Sequence, residues 1–178
     1  MPESPPPKAG QPINLPSFRP HPTHWRAPDT TRLHAERLFP EIPIFRDMAP
    51  QLLRRLARIA GRRTFLAGET IIRMGESGTT MYVIRSGRVE VVLERPAGPI
   101  FLASLGPGDF FGEQSIFDGE VRSATVTAVE ETETLTLWQV DVMQMVRRSP
   151  ELAWSLLQSL SSRLREANAR LGGDRPGP

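Results

Sequence analysis

The spacing of apolar residues changes twice along this chain, and those changes mark out its organisation. Residues 1–28 have no hydrophobic period and hold half of all the prolines. Such a stretch buries too little apolar surface to offset the entropy of ordering it, so it reads as a disordered, proline-rich arm. Residues 29–61 read as helical. Asp29 or Thr30 can cap a short helix carrying Leu33, Leu38 and Phe39, which Pro40 and Pro43 interrupt. A second helix is predicted from about Ala49 to Ala60, with Leu52, Leu53, Leu56 and Ile59 on one face and Gly61 as its stop.

From residue 62 the helical period gives way to short β-rich runs: Thr64–Leu66, Thr70–Met74, Met81–Arg85, Arg88–Leu93, Ile100–Leu105, Ala124–Val129 and Glu133–Trp138. Glycine- and proline-bearing turns separate them. Short strands at near-regular spacing predict an antiparallel jelly roll, or double-stranded β-helix, of about eight strands over residues 62–139. Gly68, Gly75, Gly78 and Gly87 are expected at positive-φ turn positions. Glu130, Glu131 and Glu133 read as a solvated turn between strands.

The helical period returns over residues 140–171. Val140–Arg147 forms a short helix stopped by Ser149-Pro150, and a longer helix follows to about Leu171, with residues 172–178 as a disordered tail. Ala153, Leu157, Leu160, Leu164, Ala167 and Leu171 recur at spacings of four and three, the seam of a helix pair, so a homodimer is expected; the alternative is one helix packing back on its own barrel. Leu152, Trp154 and Leu156 offer a second apolar surface, for the barrel.

Composition narrows the chemistry. The chain has 178 residues, 39% hydrophobic and 24% charged, which suits a soluble domain with a real core. It has no cysteine, which excludes disulfides, thiolate metal sites and cysteine nucleophiles. The net charge is only +2 although the pI is about 9.9, because Lys8 is the single lysine and the remaining cations are arginines. Arg54, Arg55, Arg58, Arg62 and Arg63 cluster with no acid between Asp47 and Glu69. They form either an anion-binding patch or a solvated helix face. No apolar run approaches the ~20 residues of a membrane span, and no secretory signal opens the chain, so a cytoplasmic location is expected.

The informative stretch runs from Phe110 to Val126, Phe-Phe-Gly-Glu-Gln-Ser-Ile-Phe-Asp-Gly-Glu-Val-Arg-Ser-Ala-Thr-Val. Gly112 opens a short helical turn, and a loop then delivers Arg122 to the head of a strand. Unpaired N–H groups at a helix start favour a phosphate. Arg122 can add a bidentate ionic contact, and Ser123 a hydroxyl and a backbone N–H. Glu113 would repel a phosphate but could accept from a sugar hydroxyl. Together these residues describe a pocket for one phosphate and one ribose. Alternatively, Arg122 simply pairs with Glu113 inside the barrel.

This stretch resembles the phosphate-binding cassette of the cyclic-nucleotide-binding domain family. The likeness extends over about residues 42–171 and includes Gly75-Glu76-Ser77-Gly78, Met81-Tyr82-Val83-Ile84 and Gly87. It implies cAMP or cGMP as the ligand. It implies that Gly112 and Glu113 contact the ribose, that Arg122 pairs with the cyclic phosphate and that Ser123 donates to it. Phe111, Gln114, Ser115 and Ala124 complete the cassette. Arg163, Ala167 and Asn168 on the long helix are the candidates for contact with the base. Asn168 can hydrogen-bond a purine edge and Ala167 cannot, a departure from the paired hydroxyl residues of the transcription-factor branch. Thr79 stands where an aspartate is common.

No catalytic constellation is present in the sequence. The three histidines precede Arg37, outside the barrel, so no metal site is expected, and Ser115 and Ser123 have no histidine base. After Gly172 no recognition helix follows, so direct DNA binding is not expected. The predicted function is a non-enzymatic sensor. The nucleotide would order the cassette, move the C-terminal helices and change a dimer seam or a surface for an unidentified protein partner. The competing expectation is a nucleotide-independent dimeric adaptor that recruits its partner through the proline-rich arm.

Overall fold

Two antiparallel sheets face each other in the computed structural model, which describes residues 39–172. The proline-rich arm, the first helix with Leu33 and Leu38, and residues 173–178 lie outside that range. Two short 3-10 turns, Phe39–Glu41 and Pro43–Phe45, lead into helix α1 (Pro50–Ile59). Pro50 suits the start of α1, where no N–H partner is needed. At the other end the Ala60 N–H donates to Leu56 O, and the chain turns extended.

Strands β1 (Gly61–Phe65), β8 (Thr132–Trp138), β3 (Thr80–Ser86) and β6 (Phe110–Phe111) form one sheet in that order. The other contains β2 (Thr70–Ile72), β7 (Thr125–Ala128), β4 (Val89–Leu93) and β5 (Ile100–Leu105). A one-turn helix, α2 (Gln114–Phe117), lies between β6 and β7, and α3 (Gln139–Arg148) and α4 (Pro150–Gly172) close the described chain. The β-roll and helices α1, α3 and α4 are those expected from the sequence.

The alternation along β3 explains how the two layers hold together. Met81 and Val83 point to one face of the sheet and pack with Leu135 and Leu137 of β8, Leu56 of α1, Val142 and Met145 of α3, and Leu152 and Leu156 of α4. Tyr82 and Ile84 point to the other face and form the roll interior with Phe65, Ile72, Phe111 and Val126. Because β3 is apolar on both faces, it is buried on both, and each such side chain contributes about 1.5–3 kcal/mol when fully buried. Tyr82 stacks on Phe111, ring centroids 5.1 Å apart, and so fixes the strand that leads into the cassette.

Several details differ from expectation. Glu133 lies in β8, not in a solvated turn, and pairs with Arg62 and with Arg85. The strand expected over Glu133–Trp138 starts one residue earlier, at Thr132. Gly68, Gly75 and Gly87 have positive φ, but Gly78 does not. Trp154 is 64% exposed, whereas Leu152 and Leu156 face the core. Two residues further along a helix is nearly the opposite side, so Trp154 cannot share their surface. The arginine cluster is partly structural: Arg55 donates to Gln144 of α3, Arg62 pairs with Glu133, and Arg63 lies over the Phe65 ring. Arg54 and Arg58 remain on the exposed face of α1.

Candidate functional site

The cassette is anchored at both ends before any of its chemistry is considered. At its start, β6 pairs with β3, and Ile116 of α2 is buried in the helix-side core, where its carbonyl accepts from Gln139 Nε2 at 2.8 Å. At its end, the Arg122 N–H donates to Glu76 O and Arg122 O accepts from the Gly75 N–H, which ties the loop to the β2–β3 turn. Gly112 has φ +78, a conformation that L side chains rarely adopt, and a Cβ there would meet Arg122 Nη1 at 2.8 Å. The glycine therefore permits both the turn and the close approach of the arginine.

Arg122 is buried, 7% exposed, in the wall of the roll. Its Nη1 donates to Gly112 O at 2.7 Å and to Ser115 Oγ at 2.8 Å, and its Nη2 donates to Thr80 O at 2.7 Å. Ser115 Oγ in turn donates to Gly78 O. All three acceptors are neutral, and no carboxylate forms an ion pair with Arg122 among the described residues. Burial pulls its proton affinity below the ordinary arginine range, although a guanidinium keeps its charge under physiological conditions. A cleft of ≈ 260 Å³ opens beside it, bounded by Ile72, Arg73, Gly78, Thr80 and Tyr82. A buried cation bonded only to neutral oxygens, next to an open cleft, attracts an anion.

Glu113 is the N-terminal flank of α2 and is 3% exposed. It does not pair with Arg122. Arg163 Nη1 from α4 reaches it at 3.1 Å, while Arg163 Nη2 donates to Phe110 O at 2.6 Å and the guanidinium covers the Phe110 ring at 4.4 Å. Burial raises the Glu113 pKa above its ordinary 4.5, and Arg163, the residue's own backbone N–H and Arg122 offset only part of that rise. Ser123 Oγ donates to Gln114 Oε1 at 2.5 Å, and both residues are exposed. Phe111 and Ala124 are buried and close the ends of the cassette.

The structure thus brings together the sequence-predicted cassette, Phe111, Gly112, Glu113, Gln114, Ser115, Arg122, Ser123 and Ala124, and places Arg163, a candidate for contact with the base, on Glu113 and Phe110. Ala167 and Asn168 are exposed one turn further along α4, and no hydrogen bond links Asn168 to the cassette among the described residues. Sequence reasoning missed the opposite wall, Arg73, Thr80 and Tyr82. Its signal was the Gly75–Gly78 turn, which lies between Arg73 and Thr80.

Comparison with known proteins gives this geometry a class. Residues 62–149 match the family model described as the cyclic nucleotide-binding domain. The cyclic AMP receptor protein of Thermus thermophilus is 38% identical over 130 residues, 72% of this chain and 60% of that protein. A cyclic nucleotide-gated potassium channel of Mesorhizobium japonicum is 38% identical over 112 residues, 63% of this chain and 30% of the channel. The crystal structure of a cyclic nucleotide-binding domain from Methylobacillus flagellatus superposes with a TM-score of 0.69 at 26% identity, covering 84% of this chain and 87% of that one. Residues 62–149 of this chain therefore form a domain of the cyclic nucleotide-binding family. The chain spans 60% or less of the two curated relatives it is compared with here.

Proposed function

We propose that this protein is a cyclic-nucleotide sensor that takes cAMP, or cGMP, and reports its occupancy through α4. In this reading the cyclic phosphate sits against Arg122 and Ser123, and the ribose hydroxyl donates to Glu113. The observation that carries it is Arg122: a buried guanidinium with neutral partners only, facing a cleft. A phosphate supplies the opposite charge that its direct hydrogen-bond partners lack. The name of the Thermus relative puts cAMP first.

Transmission follows from the double claim on Glu113. Its carboxylate accepts from Arg163 of α4, and in this reading it must also accept from the ribose. A ligand that strengthens or displaces the Arg163 contact shifts the position of α4, and with it any surface α4 offers to a second copy or another protein. Trp154, Leu157 and Leu164 are exposed along that helix, which supports a homodimer seam there. In this reading the role of the domain is regulatory.

Calorimetric titration with cAMP and with cGMP tests the reading. Binding at micromolar Kd or tighter, about −8 kcal/mol, is expected for one of them, and Arg122→Ala should lose it. No heat with either nucleotide would withdraw the sensor and leave the adaptor as the better account.

A further inference from the structure

The cassette holds a second feature that the phosphate-and-ribose reading does not use. Gln114 opens α2 and Ser123 follows Arg122, so the two come from opposite ends of the cassette, each on an anchored segment. Their side chains meet, with Ser123 Oγ donating to Gln114 Oε1 at 2.5 Å. A serine hydroxyl carries one hydrogen, so while it lies on Gln114 it cannot also donate to a phosphate oxygen. Arg122 is different, because a guanidinium has five N–H donors and keeps some to spare after its three protein contacts.

We infer that Gln114 is an internal competitor for Ser123, and that it holds the affinity of the site below what Arg122 and Ser123 could otherwise reach. This rests on the reading of the cassette as the phosphate site of a cyclic nucleotide. To be bound through the Ser123 hydroxyl, the ligand must first displace the Gln114 amide oxygen. The exchange still favours the ligand, since a phosphate oxygen is a charged acceptor and the amide oxygen is neutral. Gln114 therefore sets the working concentration of the sensor without abolishing binding. Its carbonyl, more than its bulk, is what acts: a side chain of similar size with no acceptor leaves the Ser123 proton free.

The test is a double-mutant cycle read by cAMP calorimetry on the full chain. Gln114→Leu is expected to tighten binding by roughly two- to tenfold, the range of a single exchanged hydrogen bond. Ser123→Ala is expected to weaken it, and adding Gln114→Leu to Ser123→Ala should change nothing further. Gln114→Ala removes the same acceptor with no added apolar bulk and should repeat the gain, with unchanged thermal unfolding showing that α2 is intact. Unchanged or weaker binding in both Gln114 variants, or an equal gain in the Ser123→Ala background, overturns the competitor role. If the unaltered protein binds no cyclic nucleotide, the reading of the cassette itself fails, and that result is distinguishable because it does not involve Gln114.

Discussion

Two oppositely charged side chains lie buried within the cassette, and each is partnered in a way that leaves its charge incompletely compensated. Arg122 meets only neutral oxygens, and Glu113 meets a cation that is itself partly in water. For Glu113 this has a pH signature. Its native pKa is raised by burial, so across the interval between its ordinary 4.5 and that raised value the unfolded chain holds fewer protons than the native one. Stability attributable to this group is thus present at low pH and falls as pH climbs through the interval, then levels off above the native pKa. Glu113→Gln should remove that fall. Urea midpoints of both proteins, measured from pH 4 upward, are expected to diverge in favour of Gln as pH rises, and parallel curves would contradict the assignment. At this scale the sequence was legible where residue type alone decides, as with Gly112, Glu113, Arg122 and Ser123. It was not legible where partners lie far apart: nothing local signals that Arg163 would take Glu113, or that Glu133 would hold Arg62 and Arg85.

Among the elements, α4 is attached in two unequal ways. Its first turns are fixed by Leu152 and Leu156 in the helix-side core. Further along, the contact with the roll runs through Arg163, by its ion pair, its bond to Phe110 O and its position over the Phe110 ring. Arg163→Met keeps an unbranched apolar stem and removes the charged guanidinium. Hydrogen exchange of the α4 amides beyond residue 160 should then accelerate by about tenfold, roughly 1.4 kcal/mol of local opening, while those near Leu152 stay protected. Uniform exchange along the helix before and after would show that Arg163 does not hold it. The sequence announced α4 by its apolar spacing, and most strands by their turns. It did not announce β6, because two residues carry no period, and it misplaced Trp154 because helix faces a hundred degrees per residue apart blur in a run of apolar residues.

As a whole molecule, the protein is a roll with helices packed on one sheet and an apolar stripe left outside. Leu157 and Leu164 are 61% and 62% exposed, and they are the residues that the four-and-three spacing assigned to a seam. Sedimentation of the full chain at tens of micromolar should report a dimer, which Leu157→Glu with Leu164→Glu converts to a monomer without loss of fold. A monomer in both would reject the seam. The order of helices, roll and helices was readable from the two changes in hydrophobic period, because each layer buries one face and leaves a period behind. The cleft was not, because its walls come from strands that a chain-order reading treats separately.

Gly78 is not in a backbone region that demands glycine, yet the three atoms nearest to a Cβ placed there all belong to Arg122, the closest at 2.0 Å. The two positions are therefore bound into one choice. While the arginine keeps its place in the wall, position 78 has room for a hydrogen atom and nothing more. A descendant chain that had exchanged Arg122 for something short would be released from that restriction, and its position 78 could drift. The glycine is thus a condition of the arginine's position, since a side chain at 78 would push the guanidinium out of the wall.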